Sequence, residues 1–334
     1  MSEIVNRENF YSLDDDHKKD FINAIVELKR RGIYDQYVVW HAQTMSIMTK
    51  QPMENTERNA AHKGPIFLPW HREFLRRFEL DLQKIKPGIL LPYWRWEDES
   101  DPHNAELWTW MGGNGDPNEL VRNFDTGRPL GYRVKNGPFS YENGWETIET
   151  NGAGNPALPG YSQDKPDFTI PLSKYPRAKL ARAFGVTGDT FQTSTHVSNA
   201  KSKNNYDSSP WDTTSEGFRN ALEGWLPEGL HNRIHVWVFG HMVLNTSPND
   251  PIFFLNHCNV DRIWAEWQKN KPNYGYPMDG EIKYDNGERI PAHNRNDPMI
   301  PWKHPNNNNP NQQSPTIESV LNHRLLGYKY DTET

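Results

Sequence analysis

His231-Asn232-Arg233-Ile234-His235, followed downstream by Asp250-Pro251-Ile252-Phe253-Phe254-Leu255-Asn256-His257, is the stretch on which the fold turns. His231 and His235 are four apart, so on a helix they share one face a turn apart and both imidazoles reach one ion. His257 opens a second helical face further on, with Asp261 one turn beyond it to orient an imidazole, cap a neighbouring helix or pair with an arginine. A matching set lies far upstream: His41, then His62 and His71 within Ala61-His62-Lys63-Gly64-Pro65-Ile66-Phe67-Leu68-Pro69-Trp70-His71-Arg72. Three imidazoles per set hold one metal each and leave coordination positions open for a substrate. Imidazole suits zinc, copper, iron and nickel, and the lack of carboxylates and thiolates in both sets tilts the choice towards copper. A zinc hydrolase is disfavoured because no glutamate stands at an HExxH-type position.

The two segments, AHKGPIFLPWHREFLRRFE and HNRIHVWVFGHM with SPNDPIFFLNHCNVDRIWAEWQ, resemble those of the type 3 copper family, bacterial tyrosinases above all. The likeness extends to DFINAIVELKRRGIYDQYVVWH and to GYKYD near the end, with a poor match around 112–210. It implies two copper ions held by His41, His62, His71, His231, His235 and His257, with dioxygen, phenols and catechols as reaction partners. The implied reaction is ortho-hydroxylation of monophenols and oxidation of o-diphenols to o-quinones. The alternatives are a catechol or o-aminophenol oxidase without useful phenol hydroxylation and, from another class, a haemocyanin-like dioxygen carrier.

By the same resemblance, Glu223 and Asn232 match an acidic residue and an amide that hold a water able to take the phenol proton. Phe253 matches an aromatic over the site, and Val236 lines its mouth. Each has an ordinary alternative: a solvated helix residue, a local cap, a core phenylalanine and a core valine. Some relatives crosslink a cysteine at the position of Ala60, which excludes that thioether here. Many relatives carry two adjacent histidines where this chain has Asn256-His257, and the spacing to Asp261 gives the ligand role to His257. His241 is a neighbour of the second set rather than a ligand, and the other histidines are expected in exposed or locally bonded settings.

Composition bounds the rest. The 334 residues carry 37 basic and 43 acidic side chains, a net charge of −6 with no basic block, which argues against nucleic-acid binding. Only 35% of residues are hydrophobic, but 13 Trp, 14 Tyr and 14 Phe supply large buried areas. No apolar run is long enough to span a bilayer. Cys258 is the lone cysteine, so no intrachain disulfide forms. The polar N-terminus shows no signal peptide and a cytoplasmic protein is expected, while the resemblance implies export or copper delivery with a helper protein as another route.

The expected fold is mainly α: a central four-helix bundle around a binuclear copper site, with long irregular loops and few short strands, in one domain over 1–334. Ser12 and Asp14–Asp16 start a helix that Gly32 stops. A second helix runs from Tyr34 to about Met48, and a third begins near Pro69 and ends at Lys86-Pro87-Gly88. Helices follow over 215–225, Gly229–Val238 and Pro251 to about Lys269. Residues 97–210 read as packed loops with short helices, and 304–313 as a low-complexity loop.

Overall fold

The structure is a computed structural model that describes residues 4–98, 103–157, 166–227, 229–269, 271–302 and 314–333. The tract 304–313 therefore lies outside the described residues. Helix α1 spans Asp15–Arg30, and its cap is Asp14 rather than Ser12: the Asp14 carboxylate accepts from the His17 N–H at 2.8 Å, while Ser12 ends a separate 3-10 turn. Phe21, Ile22, Ile25 and Leu28 are buried as the periodicity requires, with Val26 on the flank. Helix α2, Tyr34–Met45, stops short of Met48 because its last bonds tighten to the 3-10 pattern, Ile47 N–H reaching Thr44 O. Helix α3, Phe67–Ile85, starts before Pro69, which sits in the first turn where its missing N–H costs nothing.

Two short helices, α4 (His103–Met111) and α5 (Ser194–Ser202), and the one-turn-and-a-half α6 (Phe218–Glu223) lead to α7 (Leu230–Val238), α8 (Ile252–Gln268) and the short α9 (Ile317–Val320). The strands are brief: β1 (Val5–Arg7), β2 (Leu120–Arg122), β3 (Pro129–Arg133), β4 (Glu146–Ile148), β5 (Arg177–Lys179), β6 (Ala181–Arg182) and β7 (Tyr328–Tyr330). They form a β2-β3-β6 sheet, a β4-β5 pair and a parallel β1-β7 pair, so the loop-rich middle is pinned by small antiparallel ribbons as well as by helices.

The ligand-bearing helices α2, α3, α7 and α8 surround the centre. Helix α8 is buried nearly all round, which explains why its sequence has no polar face, and it packs on α3 and α7. Aromatic rings bring in α2: Tyr37 lies 5.3 Å from Phe74, 5.3 Å from Phe78 and 6.0 Å from Phe254. Among the described residues no helix is long and apolar enough to cross a membrane.

Asp261 resolves its three expected roles in favour of the ion pair. Its carboxylate accepts from Arg72 Nε at 2.6 Å, Arg7 Nη1 at 3.4 Å, and the Tyr328 and Tyr330 hydroxyls at 2.6 Å each. Burial pushes this acid up, but Arg72, Arg7 and the two hydroxyls outweigh it and hold its pKa below the usual range. The effect is mechanical: α3 next to His71, α8 next to His257 and the terminal strand pair are tied at one buried point. Such a pair adds little net stability over an apolar one, yet losing one partner strands a buried charge at about 3–5 kcal/mol.

Candidate dinuclear metal centre

The upstream trio is assembled from two helices and a loop. His41 comes from α2 and His71 from α3. His62 is presented by a turn in which the Asn59 amide oxygen accepts from the Ala61 and His62 N–H groups at 3.0 and 2.8 Å. The turn continues through Lys63 in the left-handed region (φ 61°) and Gly64, where a Cβ would meet Arg58 Cδ and His293 Cε1 at 2.7 Å. Glycine at 64 is therefore a matter of close approach, not of dihedral angle. The downstream trio takes His231 and His235 from α7 and His257 from α8.

Within each trio the candidate ligand atoms lie within 4.8 Å of one another. The two trios face each other, with the His71 and His257 rings stacked at 4.3 Å. Four Nδ1 atoms are anchored on backbone carbonyls: His41 on Asn245 at 2.7 Å, His71 on Phe67 at 2.8 Å, His231 on Glu223 at 3.1 Å and His235 on Met242 at 2.5 Å. A carbonyl can only accept, so the proton sits on Nδ1 and the lone pair on Nε2 points inward. The Nε2 atoms of His41 and His71 are buried without a protein partner. His257 Nε2 lies 3.0 Å from His231 Nε2 and 3.4 Å from His235 Nε2, so three nitrogens converge on one point. Buried, inward-aimed nitrogens of this kind fit a pair of metal ions.

Electrostatics agree. Burial lowers all six pKa values, His41 to about 3 and His235 to about 4, the carbonyl bonds opposing it only in part. His62, His71, His231 and His257 are pushed well below the ordinary histidine value for the same first reason. The trios are thus neutral at pH 7, the form that binds metal. Purified protein reconstituted with copper is expected to hold two ions per chain by elemental analysis. One tightly held zinc and no second ion would sink the dinuclear reading.

The trios open on a cavity of about 470 Å³, lined by His41, His62, His231 and His235 together with Glu223, Asn232 and Val236. Glu223 is buried, contrary to its solvated alternative: Oε1 accepts from Lys63 N–H at 2.6 Å and Oε2 from Arg219 Nη1 at 2.9 Å. Burial raises its pKa beyond what Arg219, Lys63 N–H and Trp225 take away. Asn232 Oδ1 lies 3.1 Å from His231 Nδ1, so its amide oxygen serves the imidazole rather than a helix end. Phe253, expected over the site, is fully buried and lies behind the rings instead: it stacks on His257 at 4.0 Å and meets His41 edge-on at 5.0 Å, and it is not among the residues lining the cavity. One turn before His257 on α8, it shares that residue's face and packs against its ring, on the side away from the cavity.

Phe67 was not singled out in the sequence, yet it touches both trios, 4.8 Å from His71 and 4.9 Å from His231. Its spacing of four from His71 was the available signal. Cys258 is buried in the packing with Sγ 3.3 Å from Leu91 O, and burial pushes the thiol up to about 12. His293 departs from the expected exposed or locally bonded setting, whereas for His241 a place near the second set is the expectation. His241 and His293 are buried, and each accepts a backbone N–H at Nδ1, from Ala181 at 3.0 Å and Ile66 at 3.3 Å. Burial lowers His241 to about 4, Asp250 opposing, from an ordinary 6.5. The native state then binds fewer protons than the unfolded chain below 6.5. Its stability is full above that pH and falls as pH drops towards about 4. The urea midpoint of the protein is expected to decline between pH 7 and 4.5, with a shallower slope in His241→Asn, which keeps an acceptor that does not titrate. An identical slope in the variant would remove His241 from the account.

A helical fold that points two neutral histidine trios at each other defines a protein of the type 3 copper class. Residues 31–270 match the common central domain of tyrosinase. Grixazone synthase of Streptomyces griseus is 38% identical over 315 residues, covering 89% of this chain and 92% of the relative. A tyrosinase of Streptomyces glaucescens is 36% identical, covering 98% and 99%. Among solved structures, a polyphenol oxidase from Thermothelomyces thermophila, 22% identical, shares the fold with a TM-score of 0.61 over 98% of this chain and 88% of that one. The chain belongs to the tyrosinase family, and its cofactor is a pair of copper ions.

Proposed function

We propose that the protein oxidises phenols as a tyrosinase: a monophenol and dioxygen give an o-quinone and water, by way of the o-diphenol, and o-diphenols supplied directly are oxidised without the first step. The observation that carries this is the pair of facing trios at the floor of a cavity with half-exposed rim side chains, Trp225 at 43% and Val243 at 39%. A reachable floor suits an enzyme better than a dioxygen carrier, which must exclude organic substrate. When bound, the copper pair supplies dioxygen activation and accepts the substrate's electrons.

The chain's own residues do the rest. The carbonyl-anchored imidazoles of His41, His71, His231 and His235 hold ligand geometry fixed, with Phe67 and Phe253 excluding water behind them. Glu223 and Asn232 stand on the cavity wall beside His231, where carboxylate and amide together accept from and donate to one water. That water takes the proton of an incoming phenol and passes it to Glu223, whose raised pKa suits a group that must hold a proton for a time. Val236 narrows the mouth around the ring. One observation favours the second reading, a catechol or o-aminophenol oxidase. Both Glu223 oxygens already accept strong hydrogen bonds, which leaves fewer lone pairs for the water that phenol needs most.

Oxygen uptake by copper-loaded protein, with simple phenols beside the matching catechols, decides between them. Uptake with both substrates is expected. Uptake with catechols alone would move the activity to catechol oxidase, and none with either would overturn the proposal.

A further inference from the structure

Among the described residues lining the cavity, Lys63 supplies the one lysine or arginine cation and Glu223 the one carboxylate. They are not equivalent. Glu223 is buried and held by Arg219 and by the Lys63 N–H, so it is fixed in place. The rest of the wall outside the histidines is apolar or neutral, including Met45, Val236, Met242 and Val243. The Lys63 side chain is 19% exposed and pairs with Glu57, whose own side chain is 74% exposed. Its Nζ also lies 5.1 Å from the centre of the half-exposed Trp225 ring.

A pair with so exposed a partner contributes little, because water competes for the carboxylate. Most of the Lys63 side chain is covered by the protein, so a second carboxylate arriving from the cavity side meets a cation already held at the wall and competes there with Glu57. The backbone beneath it is pinned, with φ at 61° and its N–H bonded to Glu223 at 2.6 Å. Lys63 is therefore anchored at the wall by its backbone, and its flexible four-carbon stem is long enough to turn from Glu57 towards a second acid.

We propose that Lys63 selects phenols with an acidic side arm, binding the substrate carboxylate at Nζ while the ring passes along Trp225 into the cavity. The inference rests on the phenol-oxidising reading for its substrate class, and adds to it a preference for anionic over neutral and cationic phenols. Glu57 acts as a competitor that occupies the ammonium between turnovers.

The test uses 3-(4-hydroxyphenyl)propionate, 4-ethylphenol and tyramine as anionic, neutral and cationic probes. Binding to the copper-free protein is followed by calorimetry, and kcat/KM by oxygen uptake on the copper-loaded protein. The anionic-to-neutral ratio is expected to fall on the order of tenfold in Lys63→Met, the size of one charge-assisted hydrogen bond. It should rise in Glu57→Gln, which frees the ammonium without touching the wall, and shrink in wild type as salt is raised. Opposite movement in the two variants also guards against a folding defect, which would shift all three probes together. A ratio unmoved in both variants, or a wild-type preference for tyramine, overturns the proposal. If the copper-loaded protein oxidises no phenol or catechol while the binding preference persists, the phenol-oxidising reading fails and the anion selectivity stands.

Discussion

Replacing His257 by Ala is expected to lower the copper content from about two ions per chain to near one and to abolish oxygen uptake. Its Nε2 is the convergence point of the second trio, 3.0 Å from that of His231 and 3.4 Å from that of His235. Removing it leaves two imidazoles from one helix, too few to hold an ion against water. The ring is also packing, stacked on Phe253 at 4.0 Å and on His71 at 4.3 Å, so its loss leaves a cavity and lowers stability as well. Copper should therefore be counted by elemental analysis well below the unfolding temperature. Asn256→Ala is the contrasting variant. Asn256 is fully buried and its amide has no protein partner, so truncation relieves an unsatisfied group worth about 1–3 kcal/mol while losing some packing. Its copper content should stay near two, with at most the about 10–100-fold loss in affinity or activity of a residue outside the ligand set. If Asn256→Ala emptied the second site while His257→Ala did not, the ligand assignment at this departure from the family pattern would be wrong.

Glu223→Gln and Asn232→Ala are expected to depress phenol hydroxylation by ~10²–10⁴-fold, the range of a positioned general base, and catechol oxidation far less. A phenol, with a pKa near ~10, must lose its proton before it binds, whereas a catechol carries protons the reaction itself consumes. The geometry adds a warning about Glu223→Gln. Its new amide group must face either Arg219 Nη1 or the Lys63 N–H, both donors, so one hydrogen bond becomes a donor–donor clash. Arg219 keeps Asp207 at 2.8 Å, which limits the damage. Asn232→Ala leaves that network alone but removes the amide oxygen 3.1 Å from His231 Nδ1, whose bond to the Glu223 carbonyl at 3.1 Å remains. The quantity to compare is the ratio of the two rates at matched copper content. A ratio unchanged in both variants would show that neither residue helps the phenol proton to leave.

Much of this protein was legible in its residues because the relevant signals are local. The HxxxH spacing of His231 and His235 needs only the helical repeat, and both rings do face one point. The apolar faces of α1 and α3 follow from the same periodicity, and Phe21, Ile25, Phe74 and Phe78 are buried as it demands. Where a boundary slipped, the competing term was short-range too: the Asp14 carboxylate displaced Ser12 as the cap, and α3 accepted Pro69 in its first turn.

By itself, the sequence determined the six imidazoles, the mainly helical architecture and the exclusion of thiolates from the ligand sets. Only the tertiary structure decided how those imidazoles are aimed, since the groups that aim them are carbonyls of Asn245, Phe67, Glu223 and Met242, and every residue type carries the same carbonyl. It also decided the direction of Phe253, towards the core behind His257, because helical phase fixes a face but not what lies opposite it. Asp261 was bound to be a buried pivot only once Arg7, from one end of the chain, and Tyr328 and Tyr330, from the other, converged on it. Nothing in the local sequence separates Lys63 from Glu57; the fold put one on the cavity wall and left the other in water. Contacts between residues far apart in sequence follow from packing the whole chain at once, and local spacing carries no record of them.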